Sequence, residues 1–302
     1  MPRDLTDRVL VITGASSGIG AAVALEAADA GMHVTLAARR ADKLMHVAKQ
    51  VADRGLKAHF FTCNVANPQD VRRLFDETLE RFGRVDAAFA NAGYGMEQDA
   101  HTVPLADHRR LFEVNYWGTV YTLHEALRAM TKTADGLNHL LVTSSCLSEM
   151  GPPQYGPYAA TKAAQDCLAQ AMRAELHDRG YDVTTVHPVL TKTEFFDAKA
   201  DAPGSGDSQN QRTAEEVYSG PFVQTAEHVA RKVVATLRKP KAEVWPAWWS
   251  RYAFAAATAC PTLTAWALRK AYAKQRDPQA KARLQQAHIE QAQAAPNPGP
   301  TA

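Results

Sequence analysis

The chain has 302 residues, with 34 lysines and arginines against 32 acidic residues and a formal net charge of +2 at pH 7. This near balance, without a concentrated basic stripe, excludes a typical nucleic-acid surface. The first seven residues are polar, and the four cysteines (Cys63, Cys146, Cys167 and Cys260) lack metal-ligand spacing. We therefore expect a cytoplasmic protein with no signal peptide and no metal site. Its thiols should be reduced, and three of them lie in segments that look buried.

Apolar, β-branched runs alternate with helical patterns along most of the chain. Residues 71–82 place apolar side chains at helical spacing, and residues 226–237 are predicted to form another helix. Continuous apolar strands separated by helices indicate a parallel sheet covered on both faces. We therefore predict a single α/β domain, a Rossmann-type doubly wound parallel sheet with a C-terminal helical extension. The strands are predicted at residues 9–12, 33–38, 59–63, 86–90, 139–143, 182–186 and 242–245.

A glycine-rich segment, TGASSGIG at residues 13–20, follows the first strand and precedes a helix. Gly14 allows a tight turn, Gly18 allows backbone to approach a pyrophosphate, and Gly20 allows the helix to pack on the strand. The helix N-terminus then offers free N–H groups to phosphates. A turn that binds nothing is the alternative, but the entering strand and leaving helix favour a dinucleotide site. We assign that site to Gly14, Ser16, Ser17, Gly18, Ile19 and Gly20.

The end of the second strand indicates which dinucleotide is used. An NAD enzyme places a carboxylate there to bind the ribose 2′-hydroxyl. Here Ala38 is followed by Arg39 and Arg40, and a guanidinium can bind a 2′-phosphate bidentately. Ser16 can add a hydroxyl contact. The alternative is that the two arginines only solvate the start of a helix. We predict NADP, with NAD the less favoured cofactor.

Polar residues that could carry chemistry cluster in the middle of the sequence. Tyr158 and Lys162 are spaced i, i+4 and share a helix face. A lysine cation near the phenol would lower its pKa and make it usable as an acid or base. Ser145 ends the fifth predicted strand, residues 91–93 (Asn-Ala-Gly) end the fourth, and Asn115 lies in a helical stretch. Strand ends of a parallel sheet meet at one edge, where open α/β folds bind ligands.

Together these motifs resemble those of the short-chain dehydrogenase/reductase family, in its compact branch. T-G-x-x-x-G-I-G, N-A-G, N-x-x-G, a serine and Y-x-x-x-K occur in the family's order, from about residue 7 to 193 and more loosely to 245. The resemblance implies that Tyr158 is the catalytic acid/base and that Ser145 hydrogen-bonds the substrate oxygen. It implies that Lys162 holds the nicotinamide ribose and lowers the tyrosine pKa. Asn115 would organise a proton-relay water.

The resemblance also implies further cofactor contacts, at Asn64, Val65, Asn91, Ala92, Gly93, Pro188 and Thr193. Asn64 stands where the family usually has aspartate, and Val189 stands where it usually has glycine. His187 has no ligand spacing and is expected to be structural or exposed. The implied activity is NADP(H)-dependent hydride transfer between a carbonyl and an alcohol, on an apolar substrate, in a homo-oligomer (dimer or tetramer). Two alternatives stay open: a non-catalytic NADP-sensing or binding protein, and a membrane-surface enzyme with a lipid-like substrate.

Composition divides the chain into three parts: a domain at residues 1–245 with a lid loop at 194–221, an apolar helical extension at 246–275, and a flexible tail at 276–302. Residues 252–268 carry no charge and include Pro261. We predict a helix–break–helix element there, because proline disfavours helix in the residue before it. The run is too short and alanine-rich to span a bilayer. We expect its aromatic face to pack on the body or a second subunit, with membrane-surface contact less favoured.

Overall fold

The computed structural model describes residues 2–130, 136–192 and 223–276. By its internal contacts the chain divides into two units, residues 1–254 and residues 255–302. Thr193 and the predicted lid at 194–221 lie outside the described residues, as does the tail beyond residue 276.

The described residues form nine strands: β1 Val9–Thr13, β2 His33–Ala38, β3 Ala58–Thr62, β4 Ala87–Ala90, β5 His139–Thr143, β6 Asp182–Val186, β7 Thr191–Lys192, β8 Gln224–Thr225 and β9 Glu243–Val244. Seven of them form the central parallel sheet, in the order β3-β2-β1-β4-β5-β6-β9. The sheet order reverses between β1 and β4, which is where open α/β folds bind their ligands. The other two strands, β7 and β8, form a separate parallel pair.

Helices cover both faces of this sheet. Leu10 and Ile12 of β1 belong to one hydrophobic cluster, and Val11 between them belongs to another. Because successive strand residues point to opposite faces, β1 is buried from both sides, and the predicted doubly wound sheet is confirmed. The helices are α1 Gly18–Asp29, α2 Ala41–Ala52, α3 Pro68–Phe82, α4 Leu105–Phe112, α5 Gly118–Ala129, α6 Gly156–Leu176, α7 Ala226–Arg238, α8 Trp248–Ala259 and α9 Pro261–Arg276. A π-helical turn, Glu113–Trp117, joins α4 to α5, and 3-10 turns lie at Cys146–Glu149 and His177–Arg179.

The C-terminal helices break at Cys260, directly before Pro261, as the sequence predicts. Of their aromatic side chains, Trp248 is 73% exposed and Tyr252 is 68% exposed within this chain. Packing on the body therefore does not bury these two residues. Among the described residues, every helix is too short or too polar to cross a membrane.

The cysteines also differ from the expectation that three are buried. Cys63 and Cys146 are buried, whereas Cys167 and Cys260 are exposed. Cys167 lies on the solvent-exposed face of α6, and the opposite face of this helix is buried.

Candidate active site

The glycine-rich loop packs too closely for side chains at two of its positions. Gly14 has φ +69°, and a Cβ there would lie 2.8 Å from the Cα of Ala92. A Cβ on Gly20 would lie 2.3 Å from the carbonyl oxygen of Gly14. A side chain at Gly14 would therefore meet the segment after β4, and a side chain at Gly20 would meet the loop itself. The loop therefore fits the close backbone approach that a dinucleotide pyrophosphate requires.

Asn91 joins the ends of three strands beside this loop. Its Nδ2 donates to the carbonyl oxygens of Thr13 at 3.1 Å and Gly14 at 3.3 Å. Its Oδ1 accepts a hydrogen bond of 3.0 Å from the hydroxyl of Thr143. The N-A-G motif thus fixes the carboxyl ends of β1, β4 and β5 relative to one another.

A cavity of about 400 Å³ lies at this edge of the sheet. Every predicted site residue lines it except Gly20, Asn115 and Thr193. Gly20 packs against the backbone of Gly14, Asn115 is fully buried in the protein interior, and Thr193 is outside the described residues. The cavity also has apolar walls, formed by Val189 and by three residues that the motifs did not indicate, Val114, Leu147 and Leu190.

Tyr158 and Lys162 lie side by side on the buried face of α6. The Lys162 ammonium donates to the carbonyl oxygen of Thr143 at 2.7 Å and lies 5.8 Å from the centre of the Tyr158 ring. Burial lowers the pKa of Lys162 to about 7. Burial also raises the pKa of Tyr158 above its usual value, and a hydrogen bond with Ser145 only partly opposes this. The expected lowering of the tyrosine pKa is therefore reversed, because the cost of burying a phenolate dominates.

Ser145 is placed by the turn that follows β5. It caps the 3-10 turn Cys146–Glu149, where its hydroxyl accepts from the backbone N–H of Leu147 at 3.1 Å. The same hydroxyl is hydrogen-bonded to Tyr158. Neighbouring Ser144 instead donates to the backbone carbonyl of Lys162 at 3.4 Å. The geometry therefore favours Ser145 over Ser144 as the partner of the tyrosine.

Asn115 is buried in the π-helical turn, where protein groups occupy its side chain. Its Oδ1 accepts from the backbone N–H of Tyr94 at 3.0 Å, and its Nδ2 donates to the Tyr94 carbonyl at 3.0 Å and to Thr161 at 3.1 Å. Its backbone carbonyl accepts from the Thr119 hydroxyl at 2.8 Å. These contacts fix the chain after the N-A-G motif against α6. The water-organising role of Asn115 stays a prediction.

The two arginines after β2 take different positions. The guanidinium of Arg40 donates to the hydroxyls of Ser16 at 3.2 Å and Ser17 at 2.9 Å. Arg39 also lines the cavity, and its positive charge acts on Tyr94, where it opposes the rise in pKa that burial causes. None of the described residues that line the cavity is Asp or Glu. A phosphate group would therefore meet cations and hydroxyls here, without a carboxylate to repel it.

Comparison with known proteins agrees with this geometry. The short chain dehydrogenase family model matches residues 8–203. The chain belongs to the short chain dehydrogenase family. It is therefore an oxidoreductase of that family, whose solved members include complexes with NAD and with NADP.

Named relatives and structures match most of the chain. A protein named 11-beta-hydroxysteroid dehydrogenase A, from Arachis hypogaea, is 30% identical over 90% of this chain and 77% of its own length. The 11-beta-hydroxysteroid dehydrogenase 1A of Arabidopsis thaliana is 32% identical over 89% and 76%. A Burkholderia phymatum short chain dehydrogenase/reductase in complex with NAD has a TM-score of 0.77 and 25% identity, covering 86% of this chain and 96% of that one. A Burkholderia cenocepacia short chain dehydrogenase in complex with NADP has a TM-score of 0.69 and 26% identity, covering 80% and 97%.

Proposed function

We propose that this short chain dehydrogenase uses NADPH to reduce the carbonyl group of an apolar, mid-sized substrate. The observation that carries the proposal is the arrangement of one cavity. Tyr158, Ser145 and Lys162 line it, and so do the hydroxyls of Ser16 and Ser17 with the guanidinium of Arg40. A proton donor and a phosphate-binding cluster thus share one space, as hydride transfer from a phosphorylated dinucleotide requires.

The preference for NADPH rests on charge. Arg40 and Arg39 supply two guanidinium groups at the end of β2, the position where an NAD enzyme needs a carboxylate. A guanidinium binds a phosphate through parallel, charge-assisted hydrogen bonds. Asn64 and Val65 line the same cavity, where they are proposed to contact the adenine. When bound, the dinucleotide supplies the hydride, and the protein supplies position and proton.

The protonation state of Tyr158 suits the proton donation that reduction requires. Burial raises its pKa, so the phenol keeps its proton at neutral pH. As an alkoxide develops on the substrate, Tyr158 donates that proton and the Ser145 hydroxyl hydrogen-bonds the same oxygen. Lys162 then offsets the charge of the resulting phenolate in its ammonium form.

The cavity walls support an apolar substrate. Val114, Leu147, Val189 and Leu190 present aliphatic side chains, and Tyr155 adds a ring beside them. A pocket of this type binds through removal of apolar surface from water, with few polar contacts to fix orientation. The names of the two plant relatives make a hydroxysteroid-sized ketone one member of the proposed substrate class.

A substrate panel tests this function. Aldehydes, ketones and quinones of increasing apolar size would be incubated with the full-length enzyme, and NADPH oxidation would be followed by absorbance. We expect turnover that rises with apolar size and is faster with NADPH than with NADH. Tight NADPH binding without turnover of any member would instead favour the non-catalytic NADP-binding protein.

A second candidate is an enzyme that works at a lipid surface on a lipid-like substrate. Trp248 and Tyr252 are exposed in α8. The segment 248–276 contains no acidic residue and five basic ones, Arg251, Arg269, Lys270, Lys274 and Arg276. Aromatic side chains beside cations suit the interface of an anionic membrane.

We also propose that the protein is a homo-oligomer in the cytoplasm. In that assembly a second subunit, and not a lipid surface, would cover Trp248 and Tyr252.

A further inference from the structure

The imidazole of His187 lies buried directly behind Ser145. His187 follows β6, and its Nδ1 lies 3.2 Å from the backbone carbonyl oxygen of Ser145. Its Nε2 lies 3.0 Å from the Thr185 hydroxyl. The ring stacks on Trp245 with centroids 4.3 Å apart and planes 3° apart. Ser145 lines the cavity and His187 does not, so the ring can act on the site only through the residues that it contacts.

We assign the ring proton to Nδ1, because a carbonyl oxygen can only accept and that of Ser145 lies closer to Nδ1 than the hydroxyl of Ser148, which is 3.5 Å away. Nε2 then accepts from the Thr185 hydroxyl. The Ser145 carbonyl also accepts from the backbone N–H of Ser148 at 3.0 Å, within the 3-10 turn. Two donors from different elements therefore hold the peptide unit that follows Ser145.

We propose that His187 is a positioning residue, which sets the direction of the Ser145 hydroxyl by holding the Ser145 peptide. This inference rests on the proposed function, since it assumes that Ser145 binds the substrate oxygen. The Ser145 hydroxyl must meet both Tyr158 and a substrate oxygen, and a rotation of its peptide would move it away from both. A misplacement of about 1 Å in a catalytic group can cost about a hundredfold in rate.

The ring is itself held from several sides. Trp245 covers its face, and the indole N–H of Trp245 donates to Glu243 at 2.9 Å. Glu243 in turn lies 3.5 Å from Arg251. Glu243 lies in β9, and Trp245 and Arg251 lie in the segment after it. This part of the chain therefore holds the His187 ring, which in turn contacts the Ser145 peptide.

Charges around the ring leave the proposed contact intact in either protonation state. Asp166 Oδ1 is buried, has no hydrogen-bond partner among the described residues, and lies 3.6 Å from Nε2. Glu149 and Glu243 also act on the ring, and Arg173 donates to Thr185 beside it at 3.4 Å. Burial lowers the pKa of His187, while Asp166 opposes this. A proton gained on Nε2 would point toward Asp166, and Nδ1 would still donate to Ser145.

Side-chain replacements can separate this role from simple packing. An asparagine amide reaches the position of Nδ1, whereas a glutamine amide extends to that of Nε2. H187N should therefore keep the donor to Ser145, and H187Q and H187L should lack it. T185V is the matched control, because it removes a buried polar contact of the same ring and leaves Ser145 untouched. Each full-length variant would be characterised by its thermal midpoint, its Kd for NADPH, and its kcat and KM for a ketone that the wild type reduces.

We expect H187L and H187Q to lower kcat about tenfold to a hundredfold with an unchanged Kd for NADPH. H187N should recover most of the loss, and T185V should retain wild-type kcat. Wild-type kcat in folded H187L, or an H187N no better than H187Q, would overturn the inference. If H187L does not fold, the comparison of H187N with H187Q still decides it.

S145A distinguishes this failure from that of the proposed function. If S145A keeps wild-type kcat, the proposed role of Ser145 is wrong and the role of His187 falls with it. If S145A loses turnover while H187L and H187Q keep it, only the positioning role is wrong.

Discussion

The ammonium group of Lys162 donates a 2.7 Å hydrogen bond to the backbone carbonyl oxygen of Thr143. This bond connects α6 to the end of β5 and brings a cation into the interior. Lys162 is only 2% exposed, and burial lowers its pKa to about 7. The cost of burying this charge gives a first prediction, which concerns stability and needs no substrate.

Lys162 should make the free energy of unfolding depend on pH. Its pKa is about 7 in the fold against an ordinary value of 10.5. Between these values the unfolded chain holds a proton that the folded chain lacks, so unfolding becomes less favourable as pH rises. The slope is at most about 1.4 kcal/mol per pH unit. Below pH 7 both states are protonated and the contribution to the slope ends.

K162M removes this titration and keeps an unbranched side chain of similar length. Urea unfolding of both proteins, followed by tryptophan fluorescence, should show the wild type gaining stability relative to K162M from pH 7 toward pH 10.5. Other titrating groups are common to both proteins and cancel in the difference. Parallel pH profiles would mean that Lys162 is not discharged in the fold.

Tyr158→Phe should abolish most turnover while NADPH binding survives. The change removes the phenolic proton and little volume, and loss of a general acid typically costs about a hundredfold or more. Tyr155→Phe is the matched control, because Tyr155 lines the same cavity three residues earlier. Kd for NADPH and single-turnover rates would be measured for both variants. Comparable turnover in the two would argue against Tyr158 as the proton donor.

Much of the fold could be predicted because the central strands β1, β4 and β5 are buried throughout. β2, β5 and β6 have the predicted bounds, since their continuous β-branched and apolar runs leave no other element with that pattern. The shared edge for Asn91, Ser145 and the glycine loop follows from parallel strands alone. Local sequence therefore determined which residues meet.

What could not be predicted depends on packing between distant segments. The direction of the Tyr158 pKa shift depends on how completely α6 is covered, which no i, i+4 spacing reveals. His187 contacts Ser145 after β5, Asp166 of α6 and Trp245 after β9, and its own neighbours in sequence give no sign of this. Trp248 is exposed within this chain, and its sequence pattern does not distinguish cover by the body from cover by a second subunit.

Arg40 should contribute more than Arg39 to the preference for NADPH. The sequence offers both arginines for the 2′-phosphate, and the structure places the Arg40 guanidinium on the hydroxyls of Ser16 and Ser17. A charge-assisted contact of this kind is worth roughly 1.5–3 kcal/mol, which corresponds to about tenfold to a hundredfold in Kd. Fluorescence titration of R40A and R39A with both cofactors should show this loss for NADPH with R40A, and little change for NADH. An equal loss for both cofactors would contradict the NADPH assignment.

The exposed aromatic residues of α8 should determine whether the protein binds lipid surfaces. The ring centroids of Trp248 and Tyr252 lie 6.2 Å apart in an edge-to-face arrangement, and the side chain of Arg251 beside them is exposed. Insertion of the two rings and attraction of the cation would favour anionic vesicles over neutral ones. Co-sedimentation with vesicles of phosphatidylserine and phosphatidylcholine should therefore retain the wild type and release it at high salt. The double variant W248S/Y252S should stay in the supernatant, while M45S, a control at an exposed apolar residue of α2, should sediment like the wild type. If neither protein sediments but the double variant elutes as a smaller species than the wild type in gel filtration, a second subunit covers these rings and the lipid-surface candidate is wrong.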